Sequence, residues 1–173
     1  RAADDAAGYF ISDQLKTYAI SLAQGTRNAN DGISIAQIGQ GALREVYDIL
    51  NDIKTKAIQA SNTSDATSRG QIQQDINNLV DAISKIFKDT EFNGLNLFSS
   101  GTTTTFTIHY GGRIGQELVM TTDIAGARAG TSTNTPSTVT IGTTVYCIDV
   151  TSQTAANATV STVDALIRAV DDM

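Results

Sequence analysis

The sequence predicts a mainly α-helical fold with a small β part, in which antiparallel helices precede β-hairpins. Two segments in the first half of the chain repeat apolar residues at three- and four-residue spacing, the period of a helix that buries one face. A later segment alternates apolar and polar residues, as half-buried strands do. Aromatic residues make up only 6% of the 173 residues and Trp is absent, which favours narrow helical seams over a broad globular core.

The first helix is predicted from about Ala3 to Ala60. Its clearest section carries one apolar stripe at helical spacing, which Leu43 and Leu50 widen. A lone helix cannot bury such a stripe, so a partner element is required. The stripe consists of Ile35, Ile38, Ala42, Val46, Ile49, Ile53, Ala57 and Ala60, and a looser pattern upstream consists of Phe10, Ile11, Leu15, Ile20 and Leu22.

Three glycines of this helix, Gly25, Gly32 and Gly39, recur every seven residues and therefore lie near one line of its surface. Each costs about 1 kcal/mol relative to Ala in a helix interior. Two explanations stay open: close approach of a neighbouring helix, or three unrelated loop glycines. The stretch RNANDGISIAQ, residues 27–37, adds further residues of low helix propensity, and periodicity alone does not decide whether it breaks the helix.

A second helix is predicted in SRGQIQQDINNLVDAISKIFKDTEFNG, where Ser68 and Gln71 fit a capping box. The polar link SNTSDATS between the two helices suits an antiparallel helical hairpin. Asn93 and Gly94 form a turn signal that ends the helical section. The second apolar stripe consists of Ile72, Ile76, Leu79, Ile83 and either Ile86 or Phe87.

The β part begins at TFTIHYG, in which Phe106, Ile108 and Tyr110 alternate with polar residues. The linker GGRIG joins this strand to QELVMTT and predicts a hairpin with a longer loop. STVTIG and TTVYCIDV predict a second strand pair after a Gly/Thr/Ser-rich stretch, residues 126–138, that we expect to be a surface loop. The last segment, VSTVDALIRAVDDM, returns to helical spacing through Val160, Val163, Ile167 and Val170.

Charge and hydropathy argue against two classes of partner. The 12 basic residues are scattered and outnumbered by 18 acidic ones, and the net charge of −6 disfavours nucleic acid. No apolar run approaches the roughly 20 residues that span a bilayer, so we expect no membrane partner.

The start of the chain carries the acidic pair Asp4–Asp5, at a position where the dipole of the first helix favours carboxylates. Because the chain opens without Met and in mid-pattern, we expect a fragment of a longer protein.

Residues able to carry catalysis are few, and we predict no enzyme, no cofactor and no metal site. The single His and single Cys belong to no HExxH, HxxxH or CxxC arrangement. His109 is expected on the solvated side of its strand, and Cys147 is expected to be a small buried hydrophobe rather than a reactive thiol. There is no GxSxG sequence and no P-loop, and YGGRIG leads into strand residues instead of the helix that a phosphate loop requires.

The sequence closely resembles the N-terminal conserved region of bacterial flagellin over about residues 2–98. DDAAG, RNANDGISIAQ, GAL, IQQDI and TEFNGLNL follow one another in the family's order and spacing. VSTVDALIRAVDD resembles the opening of the family's C-terminal conserved helix. The resemblance implies a non-enzymatic subunit of the extracellular flagellar filament, which polymerises with other copies by helix packing. The alternatives are the hook–filament junction protein of the same family and an adhesive or ligand-binding module on a helical stalk.

The resemblance also implies an elongated helical rod with three parts. Residues 1–126 would be the N-terminal part of the rod core domain, 127–158 a short variable surface section, and 159–173 the start of a C-terminal rod helix. Export machinery and a chaperone would bind terminal segments of the protein that lie outside this chain. Without the missing terminal segments, the isolated chain would be impaired in assembly. Residues 27–37 would lie inside one unbroken helix and expose a contact surface between subunits or helices. The subunit-interface candidates are Arg27, Asn28, Asn30, Asp31 and Gln37.

One functional segment of the family can be matched residue by residue. In many flagellins LQRVRELAVQ on the first rod helix is bound by the animal Toll-like receptor for flagellin, and the filament buries the same surface between subunits. This chain has LNDIKTKAIQ, with Asp52 in place of the key Arg, Lys56 in place of the key Leu and Thr55 in place of the Glu. The matched positions are Leu50, Asp52, Lys54, Thr55, Lys56, Gln59 and, on the second helix, Asp75.

The exchange of charge at these positions predicts a change in recognition. An anion in place of a cation removes a charge-assisted hydrogen bond and repels a carboxylate on the partner. We therefore expect weak or absent receptor activation. Asp52 and Lys56 are also four residues apart in the acid-first order that stabilises a helix. An ion pair within the helix and ion pairs between subunits both remain open.

Overall fold

The computed structural model of the chain describes residues 6–98, 104–122, 124–128, 136–141 and 144–172. The helices are α1 (Ala6–Ser61), α2 (Ala66–Asp89) and α3 (Gln153–Asp171). The strands are β1 (Glu91–Phe92), β2 (Leu95–Asn96), β3 (Thr104–His109), β4 (Glu117–Thr122), β5 (Ile124–Arg128), β6 (Ser137–Ile141) and β7 (Thr144–Ile148). A mainly helical chain with small antiparallel sheets confirms the predicted fold class. The expected acidic pair at the start of the first helix, Asp4–Asp5, lies outside the described residues.

Helix α1 continues without interruption through residues 27–37. The prediction of one unbroken helix is therefore confirmed. Asn, Asp and Gly each cost roughly 0.5–1 kcal/mol relative to Ala in a helix interior. Burial of the adjacent Gly32 and Ile35 shows that one face of this stretch is packed, and such packing supports a helix that propensity alone would not.

The chain divides into two compact units, and α1 contributes residues to both. One unit comprises residues 1–37 and 105–121, and the other comprises residues 38–104 and 122–173. The resemblance divides the chain differently, into rod and variable parts, and that division stays a prediction.

In the larger unit the predicted apolar stripes of α1 and α2 form most of the core. The α1 stripe is buried at most positions from Val46 to Ala60, although Ile38 is 40% exposed. On α2 the stripe ends at Phe87, which is buried, whereas Ile86 is only half-buried. The fully buried apolar residues of the two helices are Val46, Leu50, Ile53, Ala57, Ala60, Ile76, Val80 and Ile83.

The start of α2 differs from the predicted capping box at Ser68. Asp65 is the N-cap, and its carboxylate accepts hydrogen bonds from the Ser68 backbone N–H and from the Ser68 hydroxyl, both at 2.8 Å. The Ser68 amide is the main reason that the pKa of Asp65 lies below its ordinary value. Asp is as good an N-cap as Ser, and the helix starts three positions earlier than expected.

The turn predicted at Asn93 and Gly94 and the hairpin predicted after it are both present. β1 and β2 are joined by Asn93 and Gly94, whose φ angles of 51° and 77° are those of a two-residue hairpin turn. β3 and β4 form a second antiparallel pair, closed by a hydrogen bond from the Tyr110 N–H to the Gln116 carbonyl at 3.1 Å. On β3 the alternation holds for Ile108, which is buried.

The third sheet has the strand order β5-β6-β7 and packs with α2 and α3. β6 and β7 are the predicted strand pair, with Val139 opposite Tyr146. β5 was not anticipated: it and the start of β6 occupy both ends of the loop expected over residues 126–138, and residues 129–135 lie outside the described part of the chain. The Gly, Ala and Thr content of this stretch concealed a strand whose backbone is held by pairing with β6.

Helix α3 begins at Gln153, seven residues before the apolar spacing that predicts it. Ser152 is the N-cap, and its hydroxyl accepts a hydrogen bond from the Ala155 N–H at 3.1 Å. The first turns carry small and polar residues, so periodicity did not reveal them. The buried stripe consists of Ala156, Thr159, Val163, Leu166 and Val170.

In the smaller unit the β3–β4 hairpin lies against the glycines of α1. A methyl group on Gly25 would overlap the backbone carbonyl of Tyr110, and one on Gly32 would overlap the Ile108 side chain. Gly39, in the larger unit, is in ordinary van der Waals range of Leu97. Close approach of a neighbour is therefore the correct explanation for the spacing, but the neighbours are strands and loops rather than a helix.

Apolar side chains in the first turns of α1 are exposed. Phe10 is 63% and Leu15 is 64% exposed, and Ile11, Ile20 and Leu22 are exposed as well. Exposed apolar side chains mark an interaction site where they form a large patch. Among the described residues, the helices contain no stretch that is both long and apolar enough to cross a membrane.

The glycine contacts predict opposite effects for two Gly→Ala substitutions in α1. Gly25→Ala should loosen the hairpin, because the new methyl group meets the Tyr110 backbone, and the amides of β3 and β4 should exchange faster. Gly41→Ala is the matched control: nothing lies within 4 Å of its added methyl, so it should stabilise the helix by about 0.5–1 kcal/mol. Hydrogen exchange and thermal unfolding measure both effects. Equal stabilisation by the two substitutions would contradict the close packing.

Candidate interaction surfaces on the long helix

The subunit-interface candidates within residues 27–37 fall into two groups. Asn30, Asp31 and Gln37 are exposed, and within the described residues their side chains make no hydrogen bond or ion pair. At the helical repeat, Asn30 and Gln37 lie on the side of α1 away from buried Gly32, and Asp31 lies beside the packed face. A polar surface without internal partners is available to another molecule.

The other two candidates are already engaged within the chain. Arg27 donates from Nε and Nη2 to Oε1 of Gln24, at 3.1 and 2.6 Å. The Gln24 amide in turn donates to Asn28 Oδ1 at 2.8 Å. Asn28 Nδ2 donates to the backbone carbonyl of His109 at 2.8 Å and so attaches the hairpin to α1. The presence of a polar side chain at Asn28 is therefore explained by hydrogen bonds inside its own unit.

The positions matched to the receptor-binding segment are divided between core and surface. Leu50 is fully buried and contributes to the core. Asp52, Thr55 and Gln59 are exposed on α1. Within the described residues the Asp52 carboxylate has no hydrogen-bond or ion-pair partner, so its negative charge faces solvent.

The two lysines of this segment reach other helices. Lys54 Nζ lies 2.6 Å from Asp164 Oδ1 on α3, and Lys56 Nζ lies 2.6 Å from Asp75 Oδ2 on α2. The ion pair between Asp52 and Lys56, one of two open readings, is not formed. Lys56 pairs across to α2 because its ammonium group reaches a carboxylate there. All four side chains are about one-third exposed or more, so each pair contributes little, on the order of 0–1 kcal/mol.

Sequence reasoning missed a set of buried polar residues in the larger unit. Gln73 and Asn77 on α2, Ser137 on β6 and Thr159 on α3 are at most 2% exposed. Gln73 Nε2 donates to Asn77 Oδ1 at 2.9 Å, and the Ser137 hydroxyl donates to the same oxygen at 2.7 Å. A signal was present: Gln73 and Asn77 are four residues apart and adjoin the apolar stripe, where polar residues must find partners.

The predicted exposure of His109 is confirmed, whereas the predicted burial of Cys147 is wrong. His109 is exposed, as predicted, with Nε2 3.6 Å from Glu117 Oε2. Cys147 was expected to be buried but is exposed. The burial pattern of β7 alternates the other way, since Ile148 faces the core. Partial desolvation still raises the pKa of the Cys147 thiol, which disfavours the reactive thiolate. Among the described residues no group of three or more His, Cys, Asp or Glu side chains could hold a metal ion.

A long helix, a second helix and a turn into short hairpins match a known family region. The family model described as the bacterial flagellin N-terminal helical region matches residues 1–104, which include α1, α2 and the first hairpin. The chain belongs to the bacterial flagellin family.

Individual relatives agree with this assignment. Flagellin of Aquifex aeolicus (strain VF5) is 47% identical over 118 residues, which cover 68% of this chain and 23% of the relative. Flagellin of Aquifex pyrophilus is 44% identical over 123 residues, or 70% of this chain and 25% of the relative. Flagellin of Serratia marcescens is 45% identical over 100 residues, or 57% and 28%. The aligned part of this chain thus spans about a quarter of the length of these relatives.

Proposed function

We propose that the chain is part of a structural subunit of the bacterial flagellar filament, secreted from the cell and assembled with other copies of itself by helix packing. The observation that carries this proposal is the match to the flagellin N-terminal helical region over residues 1–104. The relatives described above bear the name flagellin, which favours a filament subunit over the hook–filament junction protein.

Two exposed surfaces of α1 support assembly through this helix. The apolar side chains near its start, such as Phe10 and Leu15, gain by burial against another helix, at about 25 cal/mol per Å² of apolar surface removed from water. The polar side chains of Asn30, Asp31 and Gln37 are exposed and free of partners among the described residues. Polar groups beside an apolar contact fix its register, because each needs a partner once buried.

Seeded growth tests the filament proposal directly. The full-length protein that contains this chain should extend short filament seeds, as seen by electron microscopy and light scattering. Asp31→Lys reverses a charge on the proposed contact surface and should slow extension. Asp89→Lys makes the same change in charge at the exposed end of α2, where a cation suits the helix dipole, and serves as the control. A full-length protein that does not extend seeds would refute the filament role. Equal slowing by both variants would refute only the interface assignment.

We also propose that the full-length protein activates the animal Toll-like receptor for flagellin weakly or not at all. The position where the family resemblance places a key Arg holds the exposed anion Asp52. The acid on α2 that the resemblance matches to a receptor contact, Asp75, is engaged with Lys56 at 2.6 Å. A receptor carboxylate would be repelled by Asp52, and a receptor cation would find the charge of Asp75 already paired with Lys56.

A cell reporter assay with purified full-length protein measures this expectation. The double variant Asp52→Arg, Lys56→Leu supplies the cation, frees Asp75 and should increase receptor activation. The double variant Asp89→Arg, Lys88→Leu changes the same residue types at the end of α2 and should leave the response low. Potent activation by the unmodified protein would overturn the proposal.

A further inference from the structure

The segment that joins β7 to α3, residues 148–152, is called the junction here. It is buried at Ile148 and Val150, both fully inaccessible to solvent. Residues 149–152 belong neither to the strand nor to the helix. A buried backbone outside regular structure must still satisfy its N–H and C=O groups. In this protein, side chains of α2 and α3 provide most of those partners.

The side-chain amide of Gln73 on α2 offers the junction an acceptor and a donor, as the backbone of a neighbouring strand would. Its Oε1 accepts a hydrogen bond from the Val150 N–H at 2.8 Å, and its Nε2 faces the Ile148 carbonyl at 3.5 Å. The same Nε2 donates to Asn77, which accepts from Ser137 of β6. Ser137 lies directly opposite Ile148 in the β6–β7 register. One buried amide network therefore joins α2, the end of β7 and its partner strand.

Thr159 of α3 contacts the next residue of the junction from the other side. Its hydroxyl accepts from the Asp149 N–H at 3.0 Å and donates to the Asp149 carbonyl at 2.7 Å. The Asp149 carboxylate accepts from the Thr151 N–H at 2.9 Å. Arg69 of α2 then donates to the Thr151 carbonyl at 3.3 Å and to the Thr63 carbonyl at 2.8 Å. The backbone groups are thus bound one after another from Ile148 to Thr151.

We propose that the junction is a latch that couples α3 to the three-stranded sheet: α3 stays docked only while β7 holds its register with β6. A shift of β7 by one residue would move Val150 away from Gln73 and Asp149 away from Thr159, leaving buried polar groups without partners. The sheet is then a structural requirement for the third helix and cannot be exchanged freely as a display segment. This inference is independent of what the protein assembles into.

Hydrogen exchange on the chain resolves the latch from general destabilisation. Gln73→Met keeps the length and helix propensity of the side chain but removes both amide contacts. It should raise the opening equilibrium of β7 and α3 amides by at least about tenfold. Amides of α1 and α2 in the same unit should change much less. Gln74→Met, at the exposed neighbouring position, is the matched control and should leave all four elements unchanged.

A second pair of variants tests the same latch from the α3 side and remains informative if Gln73→Met does not fold. Thr159→Val removes the hydroxyl that binds Asp149, whereas Thr162→Val removes a hydroxyl that bonds only within its own helix, to the Ala158 carbonyl at 3.1 Å. Only Thr159→Val should accelerate exchange in β7 as well as in α3.

Hydrogen exchange in the unmodified chain provides a further test that needs no variant. Under weakly denaturing conditions β7 and α3 should open together with one free energy. The proposal is overturned if β7 and α3 open separately, if Gln73→Met raises exchange equally in every helix, or if Thr159→Val and Thr162→Val behave alike. Filament growth is not a readout here, so a failure of the latch is distinguishable from a failure of the proposed function.

Discussion

Helix α1 has 56 residues, and its packed face from Gly25 to Ala60 has to be covered by the other elements of each compact unit. In the larger unit α1 presents large side chains such as Leu50 and Ile53, which are fully buried in the core to which α2 and α3 contribute. In the smaller unit it presents Gly25 and Gly32, over which a hairpin lies in direct contact with the helix backbone. Where α1 carries these glycines, a neighbouring segment can approach the helix backbone closely. Where α1 carries branched apolar residues, large side chains of neighbouring elements pack against them.

Polar contacts then specify how the elements are joined, while apolar burial supplies most of the stability. Asn28 fixes the hairpin through the His109 carbonyl, and Gln73 fixes the junction before α3 through Val150. Within the described residues no buried side-chain nitrogen or oxygen lacks a hydrogen-bond partner. Such fully satisfied networks favour one arrangement over near alternatives, because a shifted arrangement leaves a polar group buried and unpaired. The surface ion pairs of Lys54 and Lys56 are more exposed and contribute less.

Apolar spacing along the sequence predicted both long helices, the two later hairpins and the return to a helix. It failed where structure depends on a cap or on a partner strand. Asp65 and Ser152 start their helices before the apolar period begins, and β5 is paired with β6 along a stretch whose sequence does not alternate as the other strands do. Cys147 was placed on the wrong face because two apolar residues alternate on each side of β7. Of the candidate surface residues, exposure and internal contacts separate Asn30 and Asp31 from Asn28, a distinction that requires three-dimensional contacts. Their role in assembly stays a prediction.

The continuity of α1 through residues 27–37 is the central claim, since both compact units draw residues from this helix. Residue-specific Cα chemical shifts and amide exchange across this stretch test it most directly. We expect helical shifts at every position from Arg27 to Gln37, with amide protection that continues across Asn30, Asp31 and Gly32. Random-coil shifts and fast exchange at those three residues, between two protected helices, would contradict the account.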